Sequence, residues 1–182
     1  RWAKICAGIV RHYNEGWANG FHFGIEYWEI WNEPGNGAQT WGGTRQQFID
    51  FYIAAARLLK AKYPGLKIGG PGQGDGLDFA EFLSAVAAAK APLDFYSFHQ
   101  YTSDLDWLAD GYPRAVRALL ASNGLEKTEL VLDEWHYFPC DFNRLNIADH
   151  AYRNKAFDET LCGVEAGAFA AAAMTRWQGG PL

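Results

Sequence analysis

The sequence predicts an α/β fold, an incomplete (β/α)8 barrel in which parallel strands alternate with helices. Four strand-like segments each precede a helix-like segment along the 182 residues, an order typical of parallel strands joined by right-handed crossovers. The predicted strands end in polar side chains, where barrel enzymes carry their catalytic groups. An open nucleotide-binding sheet is the alternative, but the glycine-rich GGPGQG at 69–74 lacks the G-x-G-x-x-G spacing.

The first half of the chain is predicted to contain two helices and two strands. Residues 2–14 show the apolar spacing of a helix, and residues 25–31 (IEYWEIW) are a strand-forming run. Residues 44–63 place apolar side chains on one helical face and end at a Pro-Gly pair. A short strand, LKIGG at 66–70, follows.

The second half continues the alternation. A helix over 78–91 is predicted to begin with a capping box, because Glu81 follows Asp78 by three residues. The remaining elements are strands at 94–101 and 129–135 and helices at 112–122 and within 151–177.

Length and composition predict a single domain over 1–182 with one apolar core. The net charge of −5 argues against nucleic acid or an anionic membrane as a partner, since both require a basic surface. No apolar run is long enough to span a bilayer. Cys6, Cys140 and Cys162 form no C-x-x-C pair, so we expect free thiols rather than a disulfide framework or a zinc site.

Four strands cannot close a barrel, which needs eight strands and typically about 250 residues. We therefore expect the chain to be a fragment, in preference to one half of an assembly. It begins RWAKICAGIV, without methionine or a signal-peptide pattern, so the sequence predicts no location for the protein. The oligomeric state is equally unspecified.

Glu33 and Glu134 are the candidate catalytic carboxylates, because each ends a predicted strand and a barrel brings such ends to one mouth. One carboxyl can protonate the leaving oxygen of a glycoside while the other attacks the anomeric carbon. A separation of roughly 5–5.5 Å gives retention of configuration, and roughly 6.5–9.5 Å gives inversion. Trp31 is expected to supply an apolar wall for the acid, and Asn32 to bind a neighbouring sugar hydroxyl.

Asp133 competes with Glu134 for the role on the last strand. Period two places Leu130, Leu132 and Glu134 on one face, so only one of the two acids is expected to point into the mouth. Glu134 is the choice because it follows the apolar face and reaches farther.

The strand at 94–101 should support this site, since period two places Ser97, His99 and Tyr101 on one face. The Tyr101 hydroxyl could hold the nucleophile in its attacking orientation. His99 could donate to the substrate or orient the same carboxylate, although a structural place in an interior polar layer is the commoner fate of such a histidine.

Other residues carry weaker predictions. Glu29, a charge inside an apolar strand, is expected to pair with an arginine in the barrel interior. Four aromatic residues in or beside loops at the strand ends could act as sugar platforms, namely Trp41, Trp107, Trp135 and Tyr137.

WEIWNEP at 28–34 and LVLDEW at 130–135 resemble two motifs of the retaining glycoside hydrolases built on (β/α)8 barrels. In that clan the acid/base glutamate follows an asparagine at the end of the fourth strand, and the nucleophile ends the seventh. The resemblance therefore implies that strands 4 to 7 are present and that strands 1 to 3 and 8 are absent from this chain. Within the clan, residues 66–72 and 82–101 resemble the β-xylosidase and α-L-iduronidase family.

The resemblance implies that Glu33 is the general acid/base, Glu134 the nucleophile and Asn32 a ligand of the hydroxyl beside the anomeric carbon. His99 and Tyr101 would be subsite or nucleophile-orienting residues, with Trp31 and Trp135 as further substrate contacts. Asp133 stands where the family more often has threonine. Gln100 and Tyr101 follow His99 where the iduronidase branch has basic residues, which favours a neutral sugar such as xylose.

These observations predict a glycosidase that cleaves O-glycosidic bonds of a neutral sugar by double displacement, through a covalent glycosyl-enzyme and without metal or other cofactor. A non-catalytic carbohydrate-binding remnant of a barrel is the main alternative. A metal-dependent hydrolase ranks last, because the H-E-x-x-H spacing is missing; its ligands would be His99, Asp133, Glu134 and His136.

Overall fold

The structure is a computed structural model that describes residues 1–141, 145 and 149–180. Its sheet has four strands in the order β1-β2-β3-β4. β1 pairs with β2 and β2 pairs with β3 in parallel, as the sequence predicts. The strands are β1 Tyr27–Glu29, β2 Lys67–Gln73, β3 Phe95–Thr102 and β4 Glu129–Tyr137.

Helices occupy the segments before, between and after the strands. They are α1 Trp2–Glu15, α2 Arg45–Lys62, α3 Ala80–Ala88, α4 Tyr112–Ser122, α5 His150–Lys155 and α6 Val164–Trp177. Two wide π-helical turns, Trp107–Gly111 and Ala156–Leu161, precede α4 and follow α5. None of the helices within the described residues combines the length and apolar character that a bilayer crossing requires.

The described residues group into two compact units. The first comprises Arg1–His99 and Arg117–Asp133, and the second comprises Gln100–Val116 with the described part of 134–182. The core of the first unit is rich in buried aromatic side chains, including Phe48, Tyr52, Phe79, Phe82 and Tyr96. The second unit buries Leu108, Tyr112, Val116, Phe169 and Ala173.

β1 is shorter than predicted because the backbone leaves the extended conformation soon after Glu29. Trp31 and Glu33 adopt φ values of 78° and 50°, a region that L-residues rarely occupy. Backbone pairing continues past the strand, since the Ile30 amide donates to the Gly69 carbonyl at 2.9 Å. The positive φ values therefore produce a turn that stays fastened to β2.

β2 is longer than predicted, since it runs through the glycine-rich GGPGQG segment. Gly70 has φ +129°, and a Cβ there would lie 2.8 Å from the Ile30 carbonyl oxygen. A Cβ at Gly69 would lie 2.2 Å from the Phe95 carbonyl oxygen. The glycines thus permit close approach of β1 and β3 to β2, which no larger residue would allow.

The helix termini show one cap that was not predicted and overturn one that was. Thr44 caps α2 in a reciprocal box with Gln47. The predicted capping box at α3 is wrong, because α3 begins after Phe79 without a side-chain cap. Asp78 and Glu81 instead accept hydrogen bonds from the Arg45 guanidinium at 2.8 and 2.7 Å. One guanidinium thus pairs with both carboxylates.

Two smaller expectations agree with the structure. The alanine-rich segment contains the helix Val164–Trp177, which begins after Gly163 in an extended conformation. All three cysteines are free thiols.

Candidate active site

Glu33 lies in the turn that follows β1, on the first unit. Its amide donates to the Gly72 carbonyl at 2.7 Å, so its backbone is fastened to β2. Its carboxylate oxygen Oε1 lies 2.8 Å from Nδ1 of His99, and its side chain is 20% exposed. The backbone of Glu33 is therefore held by Gly72 and its carboxylate by His99, while a fifth of the side chain stays exposed.

His99 is the partner of Glu33, a pairing the sequence analysis did not consider. The ring is buried, with 1% of the residue exposed, in the middle of β3. Its Nε2 lies 3.6 Å from Oδ1 of Asp133 on β4, close enough for electrostatic attraction although too long for a hydrogen bond. The His99 ring thus lies between the carboxylate of Glu33 and that of Asp133.

Glu29 pairs with a hydroxyl and a carboxyl, so the expected arginine pairing is wrong. The Ser97 hydroxyl donates to Oε1 of Glu29 at 2.5 Å, and Asp133 is among the groups that act on the Glu29 carboxyl. The residue is exposed in part, and desolvation of its carboxyl is the largest cause that raises the pKa of Glu29 to about 7. The Ser97 hydroxyl acts in the opposite sense, and the negative charge of Asp133 raises the pKa further.

Gly72 forms the floor beneath these side chains. It has φ +58°, and a Cβ there would lie 2.7 Å from Oε1 of Glu29, 3.2 Å from Oδ1 of Asn32 and 3.4 Å from Nε2 of His99. Its amide donates to the Ser97 hydroxyl oxygen at 2.8 Å. The glycine therefore leaves the space in which the polar side chains of β1 and β3 meet, and Asn32 borders the same space.

The second unit holds the other candidate carboxylate. The Tyr101 hydroxyl donates a short hydrogen bond to Oε1 of Glu134. Glu134 is exposed. His136, two residues on, has its Nδ1 2.8 Å from the Tyr137 carbonyl oxygen.

A largely apolar cavity of about 480 Å³ adjoins Tyr101 within the second unit. Its lining includes Phe138, Phe157 and Leu161. Tyr101 thus presents its hydroxyl to Glu134 and also borders a space large enough for a small ligand.

Trp31 packs among aromatic rings of the helical layer. Its ring meets those of Trp2, Trp41 and Phe51 at centroid distances of 5.9, 5.3 and 5.6 Å, and its indole N–H donates to the Thr40 carbonyl. These contacts are those of a core anchor that stabilises the turn carrying Glu33.

The residues proposed as sugar platforms have packing partners of their own. Trp135 meets Trp177 edge-on at 4.7 Å, and Tyr137 lies 5.2 Å from Phe169. Trp107 lies 5.6 Å from Tyr112, and Trp41 packs on Phe48 and Phe51. Each of these four aromatic residues therefore packs against at least one other aromatic ring.

Sequence reasoning missed the linkage among Glu29, Ser97 and Asp133. The period-two pattern placed Ser97 beside His99 on one face of β3, which was a usable signal. The position of Glu29 opposite them depends on the register, in which Glu29 pairs with Gly69 and Gly69 pairs with Phe95. That register was not readable from local pattern.

Comparison with known proteins gives a consistent family match. The model for "Glycosyl hydrolases family 39" matches residues 1–149. A β-xylosidase of Geobacillus stearothermophilus is 33% identical over 111 residues, which cover 57% of this chain and 21% of that protein. A β-xylosidase of Caldicellulosiruptor saccharolyticus is 26% identical over 154 residues, covering 80% of this chain and 30% of its own length.

Solved structures show the same relationship. A glucosidase from Croceicoccus marinus matches with a TM-score of 0.78 and 32% identity, over 100% of this chain and 36% of its own. A β-xylosidase from Caulobacter crescentus matches in fold with a TM-score of 0.68 and 24% identity, over 98% of this chain and 36% of its own. The four strands and their helices thus correspond to part of a barrel glycosidase, and the chain spans between a fifth and two fifths of these relatives.

Proposed function

Because the chain belongs to glycosyl hydrolases family 39, we propose that the full-length protein is a retaining glycosidase acting on β-xylosides or similar neutral sugars. The 182 residues would form part of a single catalytic barrel domain and supply its strands 4 to 7. Further strand–helix units would complete the mouth. The relatives named β-xylosidase support this substrate class.

The observation that carries the proposal is that each candidate carboxylate is held by a side chain suited to its role. In the first unit, His99 holds Oε1 of Glu33 at 2.8 Å and leaves the second oxygen able to carry a proton. In the second unit, Tyr101 donates to Oε1 of Glu134, which orients the anion and leaves its other oxygen as the attacking atom. We assign Glu33 as the general acid/base and Glu134 as the nucleophile.

The first step forms the glycosyl-enzyme. Glu134 attacks the anomeric carbon while the bond from that carbon to the leaving oxygen breaks, and Glu33 transfers its proton to that oxygen. Asn32, beside Glu33, would hydrogen-bond the hydroxyl next to the anomeric carbon. The product alcohol leaves, and the sugar remains as an ester of Glu134.

The second step releases the sugar. Glu33, now an anion, removes a proton from water as the water oxygen attacks the anomeric carbon, and the ester bond to Glu134 breaks. Two inversions at the same carbon give net retention. Both carboxyl groups return to their starting protonation states, so the cycle needs no cofactor.

The residues that follow His99 support a neutral sugar. Gln100 and Tyr101 carry no positive charge with which to pair the carboxylate of a uronic acid. Gln100 can offer both a donor and an acceptor to sugar hydroxyls.

Retention is the first property to measure. With the full-length protein and an aryl β-xyloside, proton NMR during the first minutes should show β-xylose appearing before its mutarotation to the α-anomer. Initial release of α-xylose would rule out the double-displacement mechanism. Absence of turnover on aryl glycosides of all neutral sugars would rule out the proposed activity.

We expect Tyr101 to contribute to kcat through its hydroxyl, which donates to Glu134. Tyr101→Phe keeps the ring beside the apolar cavity but removes the donor to Glu134, so kcat should fall by roughly 10- to 100-fold, as expected for a hydrogen bond to a charged group. Tyr137→Phe is the matched control, since its hydroxyl contacts Glu165 at 3.4 Å. Equal effects of the two variants on kcat would contradict the orienting role of Tyr101.

A further inference from the structure

We propose that the cavity bordered by Tyr101 in the second unit binds the aglycone of the glycosidic substrate, and that this aglycone is an aromatic ring bearing a carboxylate. The inference rests on the proposed function, because it names the group that the glycosidase would release. The side chains of the cavity wall indicate the chemistry of the ligand, and the position of Tyr101 indicates its role.

The wall of the cavity consists mainly of apolar and aromatic side chains. Tyr101 near the end of β3 and Phe138 just after β4 meet edge-on, with ring centroids 5.8 Å apart. Phe157 and Leu161, in the wide turn Ala156–Leu161, form another part of the wall. Phe157 is 46% exposed, so an apolar group bound in the cavity would remove apolar surface from water.

This wall disfavours a sugar ring as the occupant. Each sugar hydroxyl that leaves water for an apolar site costs free energy unless it finds a hydrogen-bond partner there. The Tyr101 hydroxyl, one of the few polar groups of the wall, already donates to Glu134. An aromatic ring fills such a space without that cost, and the volume of about 480 Å³ lies within the range of small-molecule sites.

The charged residues of the wall favour an anion. Arg153 and His136 line the cavity, and none of the described lining residues is an aspartate or a glutamate, although the chain has a net charge of −5. Nη2 of Arg153 lies 2.6 Å from Nδ1 of His150, and a guanidinium has further N–H donors for a carboxylate. Arginine and carboxylate pair through charge-assisted hydrogen bonds. The wall therefore favours an aromatic carboxylate over a neutral aromatic ring.

Tyr101 connects the cavity to the proposed reaction. Its hydroxyl donates to Glu134, and the same residue forms part of the cavity wall. A ligand in the cavity therefore lies beside the side chain that orients the nucleophile. In an aryl glycoside, the apolar group next to the anomeric carbon is the aglycone. The aglycone is thus the part of the substrate that this cavity fits.

Cys162 offers a measure of binding that needs no turnover. Its thiol is exposed and lines the cavity, whereas Cys6 lies on α1. In the full-length protein, 4-hydroxycinnamate should slow alkylation of Cys162 by iodoacetamide in a saturable manner and leave the rate at Cys6 unchanged. Peptide mapping by mass spectrometry gives both rates. The neutral 4-hydroxycinnamide should need roughly 10- to 100-fold higher concentrations, because it lacks the hydrogen bond between two charged groups.

Arg153→Met is the decisive variant, because it keeps an apolar stem and removes the guanidinium. The affinity for 4-hydroxycinnamate should fall by about 10- to 100-fold, while that for the amide stays unchanged and shows that the cavity is intact. Lys155→Met is the matched control, since Lys155 is an exposed cation of the same helix that is not among the described lining residues. Phe157→Ala should weaken binding of both compounds.

Turnover tests the role as aglycone site. The substrates are the β-xylosides formed at the phenol oxygen of the same acid and the same amide. The ratio of their kcat/KM values, acid over amide, should fall by about tenfold or more in Arg153→Met and stay at the wild-type value in Lys155→Met. Comparison of this ratio between proteins cancels the difference in acidity between the two phenols.

The outcomes separate this inference from the proposed function. Unchanged alkylation of Cys162 in the presence of 4-hydroxycinnamate overturns the binding site, even in an active glycosidase. Equal protection by the acid and the amide overturns the preference for a carboxylate. Protection of Cys162 with a kcat/KM ratio that Arg153→Met leaves unchanged overturns the aglycone role. Protection in a protein that hydrolyses no glycoside overturns the proposed function and the aglycone role, while the binding site for an aromatic carboxylate stands.

Discussion

Glu134→Gly should reduce hydrolysis of aryl β-xylosides by roughly 10⁴- to 10⁶-fold in the full-length protein, the scale seen when a nucleophile is removed. The reason is that the anomeric carbon then has no carboxylate to form the covalent ester, and water alone is a poor nucleophile. Tyr101, which donates to Glu134, would lose its partner. Measurement of kcat with a chromogenic xyloside gives the size of the loss.

Added azide distinguishes a lost nucleophile from a damaged fold. The glycine leaves space on the face where Glu134 stood, and azide can enter it and attack the anomeric carbon directly. The product should be an α-xylosyl azide, inverted relative to the substrate, because a single displacement has occurred. Glu126→Gly, at an exposed turn before β4, is the control and should retain activity. Absence of azide rescue, or a rescued β-azide, would contradict the assignment of Glu134.

Glu33→Ala should have an effect that depends on the leaving group. For alkyl xylosides, kcat/KM should fall by about 10²- to 10⁴-fold, because their oxygen must be protonated as the bond breaks. For aryl xylosides with very acidic phenols, kcat/KM should fall by only about tenfold or less, since these phenolates leave without a proton. The comparison of the two substrate classes within one variant is the measurement.

The same variant should also accumulate its intermediate on activated substrates. Without the carboxylate of Glu33 to deprotonate water, hydrolysis of the ester becomes slow, and a burst of phenol should precede steady turnover. Azide needs no general base and should accelerate that turnover. Equal losses of kcat/KM on alkyl and activated aryl xylosides would remove the acid role from Glu33.

The alternation of strands and helices was predictable because each element has a local cause. The apolar face of α2 and its cap at Thr44 are both visible in the sequence, and the helix was found nearly to its ends. The end of β1 was not predictable. The positive φ values of Trp31 and Glu33 accompany backbone hydrogen bonds to β2, which local sequence preference does not reveal. The glycine run in β2 was predicted as a shorter strand, since its close contacts with β1 and β3 are non-local.

A carboxylate at the end of a predicted strand is visible in the sequence, and Glu33 and Glu134 were named as candidate site residues on that ground. Partners were harder, because a hydrogen bond between β1 and β3 depends on register. The sequence analysis named both His99 and Glu33 but not the contact between them, and it assigned Glu29 an arginine where the structure has Ser97. Period two favoured Glu134 over Asp133 for the inward face; Asp133 lies 3.6 Å from His99 in the first unit, and Glu134 accepts from Tyr101 in the second.

Covalent trapping tests the assignment of the two carboxylates most directly. A 2-deoxy-2-fluoro xyloside with a good leaving group should inactivate the full-length protein, because the fluorine slows both formation and hydrolysis of the glycosyl-enzyme while the leaving group accelerates only its formation. Peptide mapping by mass spectrometry should then locate one fluorosugar on Glu134. A label on Asp133 or elsewhere, or none on an enzyme that turns over aryl xylosides, would contradict the account.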